Sequence, residues 1–122
     1  MNEIEIWKDI TDYEGSYQVS NHGRVRSLDR DVSKIRKRKG QLMKLVVHTR
    51  GYQVVWLATG GTKKKFFIHR LVAFEFLPKE DHHEQVNHKD KNRLHNHICN
   101  LEWCTWEENY KHRDAVNNDE PF

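Results

Sequence analysis

Apolar and polar positions alternate along much of the first half of the chain, the spacing expected of half-buried strands. Trp7, Ile10 and Tyr13 lead into a turn at Glu14-Gly15, so residues 1–28 read as short strands and turns. Tyr17, Val19, Val25 and Leu28 flank Asn21-His22-Gly23, and alternation about that turn predicts a hairpin. From Leu42 the segments LMKLVV, YQVVWLA and KKKFFIH are separated by turns at His48-Thr49-Arg50-Gly51 and Gly60-Gly61, which predicts a three-stranded antiparallel meander. Between hairpin and meander, residues 29–41 (DRDVSKIRKRKGQ) carry no core pattern and read as an exposed basic loop.

The period then changes. HRLVAFEFL places Leu71, Val72, Phe74 and Phe76 at mixed spacing that favours a helix, closed by Pro78, with a polar connector over 79–85. A short apolar lead at Val86, a loop dense in His and Asn, and a second apolar segment from Leu101 to Cys104 follow. Thr105 and Glu108 form a capping box, each side chain satisfying a free backbone N–H of the other, which predicts a helix from Trp106 to about Ala115 and a frayed tail over 115–122. The fold class is α+β: an antiparallel β-rich region over 1–66, then a strand-loop-strand-helix unit within 67–122. At 122 residues this is one domain by size, or two small modules sharing a core.

Composition adds a partner. With 36% hydrophobic and 32% charged residues the chain is polar, but four Trp, four Tyr and five Phe supply a core and argue against disorder. Net charge is only +3, yet residues 24–70 concentrate the basic side chains, with Arg36, Lys37, Arg38 and Lys39 in one run and Lys63, Lys64 and Lys65 in another. That clustering points to a polyanion, with nucleic acid the usual candidate. Arg24, Arg26, Arg50 and Gln53 join these runs as candidate DNA contacts; most would touch phosphates, while Arg50 or Gln53 on a two-stranded ribbon would be placed to read bases. The acidic N-terminus MNEIEIWKDI has no signal-peptide pattern, and FFIHRLVAFEFL is interrupted by charge and too short to span a bilayer, so no membrane partner and a cytoplasmic location are expected. Cys99 and Cys104 lack the spacing and the four-ligand set of a zinc site.

The strand-loop-strand-helix unit can bring three side chains together. His88 ends the first strand beside Asn87, and Asn109 lies in the first turns of the final helix, able to fold opposite Asn87. Amide oxygens together with phosphate oxygens suit a hard cation, Mg²⁺ or Mn²⁺, and an imidazole clear of the metal can take a proton from water near neutral pH. Each residue alone reads as turn chemistry or surface; their convergence in one compact unit is what points to phosphodiester hydrolysis.

NHKDKNRLHNHICNLEWCTWEEN resembles the HNH motif of phage and intron-encoded homing endonucleases, including NLEW and the closing EN. HRLVAFEFLP is similar to the stretch leading into that motif, and WKDITDYEGSYQVSNHGRVRS resembles the nuclease-associated module found ahead of it. The resemblance implies a ββα-metal nuclease core around 86–114, behind an N-terminal module that binds duplex DNA. It implies His88 as general base, Asn87 and Asn109 as metal ligands, and Asn100 as the Asn that braces the loop holding His88. Many relatives carry Asp at the position of Asn87, so two neutral amides imply weaker metal binding that leans on the substrate phosphate. A second helix ligand of some HNH enzymes falls on Arg113, which reads instead as a phosphate clamp. Larger homing enzymes append a helix-turn-helix reader, for which these 122 residues are expected to leave no room. The expected function is a metal-dependent DNA endonuclease, cutting one strand per HNH centre. Nicking as a monomer and double-strand cleavage as a homodimer both remain open. The alternatives are a DNA-binding protein descended from such a nuclease, which gives no reason to keep Asn87, His88 and Asn109 together, and an RNA-directed module, for which no stacking platform of aromatics is evident.

Overall fold

In a computed structural model of the chain, residues 4–31, 35–81, 83–105 and 107–108 are described. Strands β1 (Trp7–Asp9), β2 (Tyr17–Ser20) and β3 (Val25–Ser27) form an antiparallel sheet in that order. Val19 faces Val25 across the turn, and both are buried, which fixes the register of the predicted hairpin.

The stretch expected as a basic loop is partly paired. Strand β4 (Arg30–Asp31) lies antiparallel to β5 (Lys37–Arg38), and residues 35–39 are exposed. Backbone pairing of this kind needs no apolar side chains, so hydropathy carries no trace of it.

The meander is β6 (Val46–Val47), β7 (Gln53–Thr59) and β8 (Thr62–Phe67). Strand β6 is shorter than LMKLVV because the front of that segment belongs to the first sheet: Leu42 bridges Arg26, and the Met43 amide donates to the Val25 carbonyl. Gly60 and Gly61 both have positive φ (54° and 82°), the backbone that lets a two-residue turn follow the twist of β7 and β8. Strand β8 ends at Phe67, two residues before the expected His69, because helix α1 (Ile68–Phe76) starts there. Ile68, Leu71 and Val72 recur at helical spacing and are all buried. The Leu77 amide closes the helix on the Ala73 carbonyl, and Pro78 has no N–H to extend it.

Strands β9 (Gln85–His88) and β10 (Leu101–Cys104) pair antiparallel, with a 3₁₀ turn at Ile98–Asn100 leading into β10. The predicted capping box is present: the Thr105 amide donates to Glu108 Oε1 at 2.8 Å and the Glu108 amide to Thr105 Oγ1 at 3.1 Å. Residues 107 and 108 are helical; the rest of the predicted helix, with Asn109 and Arg113, lies outside the described residues.

One core joins the regions before and after position 66. Val19, Val25, Val55 and Leu57 pack with Ile68, Leu71, Val72, Val86 and Leu101. Each such side chain, fully buried, contributes roughly 1.5–3 kcal/mol. Polar ties cross the same seam. Glu75 on α1 accepts from the Thr11 amide and hydroxyl, each at 2.9 Å, and the Ile98 amide donates to the Asn21 carbonyl at 2.8 Å. No described helix is long and apolar enough to cross a membrane.

Candidate active site

The β9–β10 ladder sets Asn87 directly across from Glu102 and His88 across from Leu101. Beyond His88 the chain leaves the strand for a polar loop, and Asn100 is the hub that holds it. Asn100 Oδ1 accepts from the Asp90 amide at 3.0 Å, and its Nδ2 donates to Asp90 Oδ1 and to the His95 carbonyl, each at 2.9 Å. The Lys89 amide donates to the Asn100 carbonyl at 2.8 Å. Asp90 also meets the His95 ring at 2.7 Å, and that hydrogen bond, with the Asn92 amide, lowers its carboxyl to about 2.

His88 is 2% exposed. Its Nε2 lies 2.8 Å from Asn96 Oδ1, and Asn96 Nδ2 donates to Gln53 Oε1 at 2.9 Å. As placed, Asn96 gives its NH₂ to Gln53 and turns its oxygen to His88, and a ring that meets this oxygen through Nε2 carries its proton there, with the lone pair on Nδ1. Gln53, read from sequence as a possible base reader, is thus placed in the support of His88 from a strand 43 residues away. The support is tight. Gly23, in the turn of the N-terminal hairpin, has φ +86°, and a Cβ there would stand 2.8 Å from Asn96 Cβ and from its carbonyl oxygen. Only glycine lets the hairpin approach the loop this closely.

The other flank of His88 is aromatic. The His69 ring lies 5.1 Å from that of His88 and stacks on Tyr52 at 5.0 Å. Burial, followed by the nearby His88 and Arg70, pushes the His69 pKa well below the usual imidazole value, so it is a neutral packing ring. It packs between the rings of Tyr52 and His88.

Asn87 is 6% exposed, and its Nδ2 donates to Glu102 Oε1 at 3.0 Å. This leaves Asn87 Oδ1 buried without a hydrogen-bond partner. An orphaned buried acceptor costs about 1–3 kcal/mol. A hard cation fits such an oxygen. Among the described residues no three His, Cys, Asp or Glu side chains are grouped as a metal site. Cys104 is buried, which raises its thiol to about 11, and it packs as an apolar group.

Sequence reasoning singled out His88, Asn87 and Asn100 but missed Asn96 and Glu102. Asn96 is one amide among many in NRLHNHICN, and its two partners are distant in sequence. Glu102 carried a signal: on a four-residue strand, antiparallel pairing alone sets it against Asn87.

Comparison with known proteins decides what this unit is. The HNH endonuclease family matches residues 66–111, and the NUMOD4 motif matches residues 5–58. DNA endonuclease I-HmuI of Bacillus phage SP01 is 39% identical over 114 residues, which cover 91% of this chain and 60% of that protein. An uncharacterised HNH endonuclease of Acanthamoeba polyphaga mimivirus is 36% identical over 115 residues, 94% of this chain and 31% of that one. The solved structure titled "DNA binding and cleavage by the HNH homing endonuclease I-HmuI" superposes with a TM-score of 0.75 at 37% identity, covering 95% of this chain and 62% of that one. The chain belongs to the HNH endonuclease family, of the phage and homing type with an N-terminal NUMOD4 motif. It spans about 60% of the length of I-HmuI.

The basic side chains of this HNH protein fall into two groups. Lys63, Lys64 and Lys65 are exposed on β8, with half-exposed Trp56 directly across from Lys65, and Arg36 to Lys39 are exposed on and beside the β5 ribbon. Arg24 and Arg26 are turned to partners within the chain. Arg24 pairs with Glu5, whose carboxyl it lowers to about 2, and Arg26 donates twice to Gln18 Oε1 while its guanidinium covers Trp7 at 4.1 Å. Arg50 lies in the β6–β7 turn, where its carbonyl accepts from Arg93 of the HNH loop, and the Arg93 guanidinium lies 5.0 Å from the Tyr52 ring.

Proposed function

We propose that this HNH protein is a metal-dependent endonuclease hydrolysing phosphodiester bonds of duplex DNA. The observation that carries the reading is the pairing, on adjacent residues, of a buried imidazole hydrogen-bonded through Nε2 with a buried amide oxygen that lacks a partner. His88 acts as general base. With its Nε2–H held by Asn96, Nδ1 is the nitrogen that takes a proton from the attacking water, and the stacked His69 and Tyr52 keep the ring from turning. Asn87 Oδ1, with Asn109 as the second ligand implied by the family resemblance, would hold Mg²⁺ or Mn²⁺. That ion supplies Lewis-acid stabilisation of charge on the scissile phosphate. Asn100 acts indirectly, by fixing the loop after His88. Arg113, at the position where some HNH enzymes place a second helix ligand, departs from that pattern and acts instead as a phosphate clamp.

The test is a supercoiled-plasmid assay with Mg²⁺, Mn²⁺ or EDTA. Metal-dependent conversion to nicked circles, abolished by EDTA, is the expected result; linear product would mean paired sites. Tight DNA binding with no cleavage under either metal would sink the reading and leave a DNA-binding protein.

Duplex DNA is engaged through Lys63 to Lys65, Arg50 and the Arg36–Lys39 run. Arg24 and Arg26 contribute less, because Glu5 and Gln18 already take their guanidinium groups. Replacing Arg36, Lys37, Arg38 and Lys39 together by Gln should flatten the slope of log affinity against log salt, by about 0.9 for each phosphate no longer neutralised. An unaltered slope in filter binding or fluorescence anisotropy would assign that run to solvent.

A further inference from the structure

A hard cation is held best by an anionic oxygen, and Asn87 offers a neutral one. The missing charge lies one strand away. Glu102 stands directly across the β9–β10 ladder from Asn87, and its Oε1 accepts from Asn87 Nδ2 at 3.0 Å. We propose that Glu102 is the positioning residue of the metal site, fixing which end of the Asn87 amide faces the cation and lending that amide negative charge. The proposal rests on the nuclease reading above.

An amide can present either end to a site, and nothing in the Asn87 side chain itself chooses. A carboxylate only accepts, so Glu102 can bind only the NH₂ end, which turns Oδ1 the other way. Oδ1 is where the unsatisfied buried acceptor lies. The hydrogen bond to a charged acceptor also polarises the amide, placing more negative charge on the oxygen that would meet the cation. Asn87 and Glu102 thus share the work of one acidic ligand: the oxygen comes from β9 and the charge from β10. Glu102 is itself exposed, so its charge is kept at little desolvation cost while Asn87 stays buried.

The test is titration of Mn²⁺ into the full chain with a short duplex present, with free Mn²⁺ read by electron paramagnetic resonance. Glu102→Gln is close to isosteric but removes the charge and the acceptor-only character. It should weaken Mn²⁺ binding by about tenfold. Asn87→Asp alone sets two carboxylates against each other across the ladder and should gain no affinity. Asn87→Asp combined with Glu102→Gln restores one charge and one hydrogen bond with their strands exchanged, and should return affinity to the original level or better. Thermal melting, and duplex binding in EDTA, should be unchanged in Glu102→Gln and in the double variant, which separates metal binding from folding, while Asn87→Asp alone should melt lower because like charges then face each other across the ladder. Unchanged Mn²⁺ affinity in Glu102→Gln overturns the proposal. So does a double variant no better than Glu102→Gln, since Glu102 would then act other than through Asn87. If the original chain neither binds Mn²⁺ nor nicks DNA, the nuclease reading falls with it. If it does both and Glu102→Gln binds normally, only the role of Glu102 is lost.

Discussion

His88→Ala should lower plasmid nicking by about 10²–10⁴-fold, the usual worth of a positioned general base, while duplex binding stays within a small factor of the original. The separation follows from where the ring sits. His88 is buried beside Asn96, His69 and Tyr52, whereas the lysines of β8 and the basic run by β5 are exposed. On the proposed reading DNA affinity would rest on those cations and the salt they displace, and loss of one buried ring does not alter their number. Truncating a buried imidazole also removes packing, so some loss of stability is expected. The comparison must therefore be made below the melting temperature of the variant. Loss of DNA binding in step with cleavage would identify His88 as a structural residue. Retained nicking would remove it from the chemistry altogether.

How far the sequence foretold this arrangement depends on how local each feature is. The β9–β10 pair, the Thr105–Glu108 cap and the end of α1 before Pro78 are each specified by a few neighbouring residues, and each was legible. Features that depend on distant partners were not. LMKLVV reads as one strand, but Leu42 and Met43 are taken by Arg26 and Val25 of the first sheet, leaving β6 only two residues. FFIH reads as strand throughout, because apolar residues suit either period. Packing of Ile68 and Val72 in the core decides for helix from Ile68 onward. Arg24 and Arg26 looked like DNA contacts because positive charge is visible in a sequence, while the Glu5 and Gln18 that engage them are not visibly near. The site divides the same way. His88 and Asn87 stand next to each other in a motif, but the amides hydrogen-bonded in line with the His88 ring are contributed by Asn96 and, from across the fold, Gln53.

Asn96→Leu should cut the nicking rate by about 10–100-fold, the typical cost of removing a partner that orients an active ligand, with Mn²⁺ affinity unchanged. Asn96 is 4% exposed and joins two groups, the Nε2–H of His88 and the Oε1 of Gln53. Leucine has similar volume and neither hydrogen bond, so a donor and an acceptor are left behind, each costing about 1–3 kcal/mol where water cannot reach. The ring then loses its reason to carry the proton on Nε2, and molecules that carry it on Nδ1 cannot act as the base. Metal binding should be spared because Asn87 and Glu102 form a separate pair across the β-ladder. Gln53→Leu with Asn96→Leu should be little worse than Asn96→Leu alone, since Gln53 works on the base only through Asn96. Nitrogen-15 spectra of His88 supply the readout that a general loss of stability would not reproduce: Nε2–H in the original chain, a mixture in Asn96→Leu. An Nδ1–H tautomer in the original chain would sink the orientation argument, and so would a full nicking rate in Asn96→Leu.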